Sequence, residues 1–188
     1  KPRVFAPVFP GTNCEFETQN AFRKEGALVS SLPMVNINHQ LLEESIDAWV
    51  KEIEQSQILV FSGGFSAGDE PDGSAKFIVN VLKNEKMKDA VHGLLQRDGM
   101  ILGICNGFQA LVKSGLLPYG EIRDLDANSP TLAHNAIGRH ISQMVHVKVT
   151  NEDSPWLKGM KGLEYTIPIS HGEGRFMASE EVLKELYK

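Results

Sequence analysis

The sequence of 188 residues has few cysteines, no long apolar run and no excess of basic residues. Cys14 and Cys105 form no CxxC pair, so neither a disulfide framework nor a zinc site is indicated, and a reducing, cytoplasmic location is expected. The apolar runs are far shorter than the roughly 18 residues of a membrane span, and no signal peptide is recognisable. The net charge of −5 disfavours a main role in binding nucleic acid or anionic lipid. We therefore expect no nucleic-acid, membrane or metal partner.

A chain of this length with 41% hydrophobic residues can form one compact domain with its own core. We therefore expect residues 1–188 to form a single domain. The first residue is Lys1 rather than Met, and the sequence stops at Lys188 within a helix-like stretch. This favours an excised and C-terminally incomplete part of a longer chain.

Apolar runs of strand length alternate with stretches of helical periodicity along the first two thirds of the chain. Because these runs contain no alternating polar residues, they are typical of strands buried on both faces of a parallel sheet. The sequence therefore predicts a three-layer αβα fold with a mostly parallel central sheet. From about Ser129 apolar and polar residues alternate, which predicts an antiparallel portion in the C-terminal third. The expected strands are Arg3–Phe9, Ala27–Val35, Ile58–Phe61 and Gly99–Ile104, and a Thr12–Glu15 capping box predicts the start of the first helix.

Cys105 lies where a predicted buried strand meets a helix, within Gly103-Ile104-Cys105-Asn106-Gly107. This is the G-x-nucleophile-x-G spacing of a nucleophile elbow, in which flanking glycines permit a sharp, strained turn. The helix N-terminus favours thiolate over thiol, and the Asn106 N–H is placed to face a developing oxyanion. The alternative is a buried cysteine at a tight turn.

A glycine-rich loop follows the strand Ile58–Phe61 and begins Gly63-Gly64-Phe65-Ser66. In a parallel sheet this loop lies at the same edge as Cys105, so Gly64 can supply a second oxyanion donor. An ordinary βα turn or a phosphate loop would have the same composition. No Walker lysine follows, and the acidic side chains further along the loop argue against phosphate, namely Asp69, Glu70 and Asp72.

The segment Ser170–Arg175 brings an imidazole, a carboxylate and a guanidinium together beside glycines. Because a nucleophilic thiol needs a base and the base an orienting carboxylate, Cys105, His171 and Glu173 could form a triad. The other histidines show no metal-ligand spacing. Cys14 follows the first predicted strand and is expected to line the site or pack in its wall.

In these motifs the sequence resembles the class I, triad-type glutamine amidotransferases, and within them the glutaminase domain of phosphoribosylformylglycinamidine synthases. The Asp69–Gly73 continuation is similar to the large single-chain form. The resemblance is carried by four stretches that span nearly the whole chain, Phe9–Cys14, Gly63–Asp69, Gly103–Gln109 and Ser170–Arg175.

The resemblance implies a flavodoxin-like fold and hydrolysis of L-glutamine through a cysteine thioester. The released ammonia would pass to a synthetase domain of the same parent chain, which makes formylglycinamidine ribonucleotide from formylglycinamide ribonucleotide with ATP and Mg²⁺ in purine synthesis. No cofactor is expected in the domain itself.

The resemblance also implies roles for individual residues. Gly64 and Asn106 would form the oxyanion hole, while Gln109 and Ser66 would bind glutamine. The family's catalytic His-Pro-Glu segment is absent, so Ser170, His171, Gly172 and Glu173 are expected to bind substrate, with the catalytic His and Glu beyond Lys188. The His171/Glu173 triad stays an alternative.

Two other functions also fit the sequence. One is a cysteine hydrolase of related flavodoxin-like fold, and the other a non-catalytic regulatory domain with an idle thiol. Polar residues before a C-terminal strand, Asn135, Arg139 and His140, suggest either an interdomain face or a surface loop.

Overall fold

The structure is a computed structural model that describes residues 1–66 and 73–187. It divides into two compact units, of which the first comprises Lys1–Leu132 with Phe176–Lys188 and the second Ala133–Arg175. Two compact units can belong to one domain, so the expected single domain over residues 1–188 stays a prediction.

Four short strands form the central sheet of the first unit, and they are β1 (Arg3–Phe5), β2 (Leu28–Ser30), β3 (Ile58–Phe61) and β4 (Met100–Gly103). All pairings are parallel and the strand order is β2-β1-β3-β4. The order reverses direction between β1 and β3, which makes the carboxyl ends of these two strands the point where open α/β sheets bind ligands. The predicted mostly parallel central sheet is confirmed.

Helices connect these strands or follow the last of them, and they are α1 (Glu15–Lys24), α2 (His39–Gln55), α3 (Lys76–Leu82), α4 (Glu85–Gln96), α5 (Asn106–Ser114) and α6 (Leu116–Tyr119). The connection through α1 runs across the sheet in one direction and the connection through α2 in the other. Because parallel crossovers are right-handed, α1 and α2 lie on opposite faces of the sheet. The expected αβα layering follows from this topology.

The core of the first unit is built around Trp49 of α2, which is fully buried. Its ring meets Phe5 and Phe9 edge to face, with centroids 5.9 and 4.9 Å away. Phe9 in turn packs against Phe61 and Phe77. Edge-to-face contacts of this kind add about 0.5–1.5 kcal/mol each beyond the area they bury. The cluster therefore anchors α2 and α3 to the sheet at the end of β1.

Helix α5 lies unusually close to the sheet because Gly103 and Gly107 have no side chains that would separate the helix from the sheet. A Cβ atom added to Gly107 would overlap the carbonyl oxygen of Phe61 and lie 2.7 Å from Phe61 Cβ. A Cβ atom added to Gly103 would lie 2.7 Å from the carbonyl group of Gly107. Both glycines of the predicted elbow are thus required for backbone packing, which is the role that the spacing predicted.

Two local predictions were wrong. Strand β4 is half-buried, whereas its apolar run predicted burial on both faces; the reason is that β4 pairs on one side only, with β3, at the edge of the sheet. Thr12 does not cap α1, which begins at Glu15 after Cys14. The Thr12 hydroxyl instead accepts a hydrogen bond from the Phe9 N–H at 3.1 Å, and so closes the loop after β1.

The second unit contains the antiparallel pair β6 (Ile141–Lys148) and β7 (Glu164–His171), paired from Ile141 with His171 to Lys148 with Glu164. This confirms the antiparallel portion predicted for the C-terminal third. The short strands β5 (Thr131–His134) and β8 (Glu173–Met177) pair with each other and contain the borders between the two units. A further helix, α7 (Glu180–Leu186), follows. Among the described helices, none combines the length and the apolar character needed to cross a bilayer.

The substitution Gly107→Ala is expected to lower the free energy of unfolding by about 3 kcal/mol, because the added methyl group would push α5 away from β3. Gly93→Ala is the matched control. Its Cβ would meet only the flexible end of Arg97 at 3.4 Å, so a gain of about 0.5–1 kcal/mol is expected from the better helix former in α4. Urea denaturation measures both values, and equal stabilities of the two variants would contradict the packing role of Gly107.

Candidate active site

Cys105 is an exposed residue in a strained backbone conformation at the junction of β4 and α5. Its φ of 53° and ψ of −109° lie in a region that residues with a side chain rarely adopt. The turn is held on both sides, since the Ile104 N–H donates to Phe61 O at 3.0 Å and the Gln109 N–H to Cys105 O at 3.0 Å. The geometry is that of a nucleophile elbow, with the thiol presented at the N-terminus of α5.

Cys105 directly precedes the N-terminus of α5. The helix has nine residues, and its first turn contains no acidic side chain. Helical N–H groups of the first turn carry partial positive charge, which stabilises a nearby anion by about 0.3–1 kcal/mol. The elbow therefore lies beside a helix end that favours negative charge.

The loop after β3 passes directly beside the nucleophile. A Cβ atom added to Gly63 would lie 3.3 Å from Cys105 Cβ and 3.8 Å from Cys14 Sγ. The absence of a side chain at Gly63 thus leaves room for both thiols at this edge of the sheet. The loops after β1, β3 and β4 converge here, as expected from the sequence.

The main-chain N–H group of Gly64 points away from the loop after β1. Gly64 pairs with Thr12 in an antiparallel bridge, flanked by hydrogen bonds from Asn13 N–H to Gly63 O at 3.3 Å and from Phe65 N–H to Gly11 O at 2.8 Å. In such a pair the N–H groups of the two central residues point outwards. Within the described residues the Gly64 N–H has no acceptor, so it can serve a ligand.

Only glycine can occupy position 64. Its φ is +142°, and an added Cβ would lie 2.5 Å from Gly11 O and 2.8 Å from the Thr12 Cα. The side-chain-free backbone therefore allows the loop after β3 to cross the loop after β1 at van der Waals distance.

Two predicted binding residues flank this loop and the elbow. Ser66 is 2% exposed, and its hydroxyl has no hydrogen-bond partner among the described residues. Gln109 is half-buried in α5, with its carboxamide oxygen 3.1 Å from the side-chain nitrogen of Asn106. The acidic residues Asp69, Glu70 and Asp72, used above against a phosphate loop, lie outside the described residues.

Cys14 differs from Cys105 in its electrostatic surroundings. Partial desolvation raises the pKa of the Cys14 thiol, and the charges of Glu17, Cys105 and Glu15 raise it further. The thiol also donates a hydrogen bond to Asn13 Oδ1 at 3.2 Å. The raised pKa favours the neutral thiol of Cys14 beside Cys105, and the expected packing or wall role of Cys14 stays a prediction.

The second unit holds the predicted binding residues of β7 and the following turn, and Asn135 organises them. The Asn135 side chain donates from Nδ2 to Arg139 O at 2.9 Å and to His171 O at 2.8 Å. The main-chain N–H of Asn135 donates to Gly172 O at 2.9 Å. The residue is 6% exposed, so the surface position expected for Asn135 is wrong, while Arg139 and His140 are exposed as expected.

These contacts determine which atom of Asn135 faces the imidazole ring of His171. Because Asn135 Nδ2 donates twice to main-chain carbonyls, Asn135 Oδ1 is the atom 2.9 Å from His171 Nδ1. A carbonyl oxygen only accepts, so Nδ1 carries a proton, and in the corresponding neutral tautomer Nε2 is the acceptor. His171 Nδ1 is thus oriented by Asn135, where the alternative triad had assigned this role to Glu173. The Ser170 hydroxyl lies 2.8 Å from His140 Nε2.

The sequence analysis missed the side-chain role of Asn135 as the centre of this network. A Gly138 N–H to Asn135 O bond of 2.9 Å closes a turn there, and the segment Asn-Ala-Ile-Gly signals such a turn. Within the described ranges, no three His, Cys, Asp or Glu side chains converge as a metal-binding group.

Residues 1–188 match the family described as the CobB/CobQ-like glutamine amidotransferase domain. The chain belongs to this family of glutamine amidotransferases. The glutamine amidotransferase family expected from the motifs around Cys14, Gly64, Cys105 and His171 is thereby confirmed, whereas the similarity to a large single-chain form is not confirmed.

Curated relatives share about a third of the residues of this amidotransferase chain. It is 35% identical over 178 residues to the phosphoribosylformylglycinamidine synthase subunit PurQ of Dehalococcoides mccartyi, covering 94% of this chain and 64% of that protein. It is 37% identical over 191 residues to a PurQ subunit of Methanococcus maripaludis, covering 98% of this chain and 64% of that protein. The chain thus spans a little less than two thirds of the length of these relatives.

Solved structures share the fold. PurLQS of Thermotoga maritima contains a chain with a TM-score of 0.71 and 27% identity, aligned over 96% of this chain and 71% of that one. A glutamine amidotransferase of the same organism, at 16% identity and a TM-score of 0.53, covers 95% of this chain and 64% of its own, and supports the fold.

The backbone strain at Cys105 predicts a stability difference between two variants. Cys105→Gly is expected to be about 1 kcal/mol more stable than Cys105→Ala, because glycine adopts the observed φ and ψ without strain while losing some entropy in folding. Both variants lack the thiol, so the comparison isolates the backbone. Thermal denaturation measures the difference, and a less stable glycine variant would show that the elbow is not strained.

Proposed function

We propose that this chain hydrolyses L-glutamine, with Cys105 as the nucleophile and the N–H groups of Gly64 and Asn106 as the oxyanion hole. The observation that carries the proposal is the Cys105 elbow at the N-terminus of α5, with the outward Gly64 N–H on the adjoining loop. Family membership supports the same chemistry.

The reaction proceeds in two steps at Cys105. The thiolate attacks the side-chain carbonyl carbon of glutamine, and the carbonyl oxygen becomes an oxyanion held by the two N–H donors. Collapse of this intermediate expels ammonia, which takes up a proton, and leaves a glutamyl thioester. Water then cleaves the thioester to release glutamate and restore the thiol.

The groups that move these protons remain part of the proposal. A catalytic His and Glu beyond Lys188 are one arrangement, and His171 with Glu173 is the other. With Nδ1 facing Asn135 Oδ1, the Nε2 atom of His171 is the ring nitrogen that would act either as a base or as an acceptor for a donor group of bound glutamine. Ser66, Gln109, Ser170, Gly172 and Glu173 are the further proposed glutamine-binding residues.

The proposed pathway is the formation of formylglycinamidine ribonucleotide from formylglycinamide ribonucleotide in purine synthesis. It is supported by relatives named phosphoribosylformylglycinamidine synthase subunit PurQ and by the likeness to a chain of PurLQS. A synthetase that uses ATP and Mg²⁺ would receive the ammonia, in the cytoplasm. Attachment of the synthetase in one parent chain rests on the sequence resemblance alone, since these relatives are named as subunits.

Exposed apolar side chains at the active edge support a protein partner there. Phe16, the second residue of α1 and two positions after Cys14, is 69% exposed. Phe65, which directly follows Gly64, is 59% exposed. Ile104 directly precedes the nucleophile and Phe108 lies in the first turn of α5, and both are also exposed. If these side chains form one contiguous surface, it is of the kind that another protein covers.

The first test is labelling of this chain with a diazoketone analogue of glutamine, followed by peptide-mapped mass spectrometry. We expect a glutamine-protected adduct on Cys105 and none on Cys14, because the raised pKa of Cys14 keeps it protonated near neutral pH. Equal labelling of both cysteines, or labelling that glutamine does not prevent, would favour a general cysteine hydrolase. Labelling of Cys105 only in a longer chain that continues past Lys188 would place the base there, and an unlabelled Cys105 in both chains would contradict the proposal.

The second test uses Cys105→Ala in the full enzyme together with its synthetase. Formation of the amidine with glutamine as nitrogen donor is expected to fall at least about 100-fold, whereas formation with free ammonia persists because the accepting site is elsewhere. The product is measured by chromatography. Unchanged activity with glutamine would establish the idle-thiol, regulatory alternative.

A further inference from the structure

The chain has two cysteines, and the fold brings them together although they lie far apart in the sequence. Cys14 directly precedes α1 and Cys105 directly precedes α5, and both are exposed free thiols of the same compact unit. The place that a Cβ atom of Gly63 would occupy is 3.8 Å from Cys14 Sγ and 3.3 Å from Cys105 Cβ. Because Gly63 has no side chain, that residue leaves the place between the two cysteines open.

The surroundings of Cys14 favour its neutral thiol over the thiolate. Desolvation raises the pKa of this thiol, and the charges of Glu17, Cys105 and Glu15 raise it further. Peroxides oxidise the thiolate form of cysteine, so direct oxidation of Cys14 is disfavoured. A thiol beside an oxidised cysteine has a different reaction open to it, because a sulfenic acid condenses with a neighbouring thiol to form a disulfide.

We propose that Cys14 and Cys105 form a reversible redox pair, in which Cys14 resolves the sulfenic acid that hydrogen peroxide produces on Cys105. In the first step the Cys105 thiolate attacks one peroxide oxygen, the O–O bond breaks, and the departing hydroxide takes up a proton to give water. The Cys14 sulfur then attacks the Cys105 sulfur, the S–O bond breaks, and the hydroxyl group leaves with the Cys14 proton as a second water. The product is a Cys14–Cys105 disulfide, which a dithiol reduces back to two thiols while it is itself oxidised.

The open place at Gly63 is what such a disulfide needs. A disulfide holds its two Cβ atoms about 3.5–4.5 Å apart, and the two cysteines can approach each other only where no other side chain stands between them. The consequence for activity rests on the proposed glutaminase function. The disulfide blocks the proposed nucleophile until it is reduced, whereas further oxidation of Cys105 to a sulfinic acid would be irreversible. Cys14 thereby protects Cys105 from permanent loss.

Peptide-mapped mass spectrometry after treatment of the chain with hydrogen peroxide tests the redox pair. In the wild type we expect a peptide linked through Cys14 and Cys105, and dithiothreitol should then restore nearly all of the Cys105 thiol. Cys14→Ser keeps a side chain of similar size but cannot form the disulfide. In that variant dimedone should trap the sulfenic acid of Cys105, and without dimedone the thiol should be lost irreversibly as sulfinic acid. Equal recovery of Cys105 in the two proteins would overturn the inference, as would a disulfide that links two chains and not one.

The Gly63→Ala variant tests the geometry without removing either thiol. Its methyl group would occupy the place between the two cysteines, so disulfide formation is expected to slow at least about tenfold. Gly93→Ala in α4 is the control and should form the disulfide at the wild-type rate. An unchanged rate in Gly63→Ala would overturn the inference.

The diazoketone analogue separates this inference from the proposed function. We expect the oxidised chain to take up no analogue and the reduced chain to be labelled again at Cys105. A linked Cys14–Cys105 peptide would support the redox pair even where the reduced chain takes up no analogue, so the two proposals can fail separately.

Discussion

The close approach of α5 to β3 is the constraint on which the rest of the site depends. Gly103 and Gly107 leave no side chain between the helix and the sheet, so the chain must turn sharply in the few residues between β4 and α5. Cys105 occupies that turn with a left-handed φ, and the strain directs its thiol outwards. The same packing places the first turn of α5 next to Cys105. The position of Cys105 and its place beside a helix N-terminus therefore have the same cause.

Main-chain contacts near this turn also hold the loops after β1 and β3. The Thr12–Gly64 bridge turns the Gly64 N–H outwards, and Gly63 leaves space for both cysteines. Because these contacts involve backbone atoms, the donors are positioned before any ligand arrives, which is the condition for effective oxyanion stabilisation. The surroundings of the neighbouring Cys14 raise the pKa of its thiol, chiefly through desolvation.

Two asparagines use the same physical device, one in each compact unit. The Asn106 carboxamide is oriented by a main-chain donor and the Asn135 carboxamide by two main-chain acceptors. In both cases the backbone partner determines which end of the amide faces the next side chain. Gln109 and His171 therefore each face a carboxamide atom of fixed hydrogen-bonding polarity, because that polarity is set by backbone groups that cannot change role.

The sequence by itself determined the strand–helix alternation, the antiparallel C-terminal portion and the elbow, because hydrophobic periodicity and paired glycines are local signals. The loop position predicted Gly64 as an oxyanion donor and the family resemblance predicted Gln109 as a glutamine-binding residue, and both roles stay predictions. Tertiary structure alone decided that β4 is an edge strand, that Thr12 closes a loop instead of capping α1, and that Asn135 is buried. These features depend on which distant backbone groups meet each residue: Asn135 bonds to His171, 36 positions away, and Asn106 to Ser66, 40 positions away. No local pattern encodes such pairings, since folding brings the partners together.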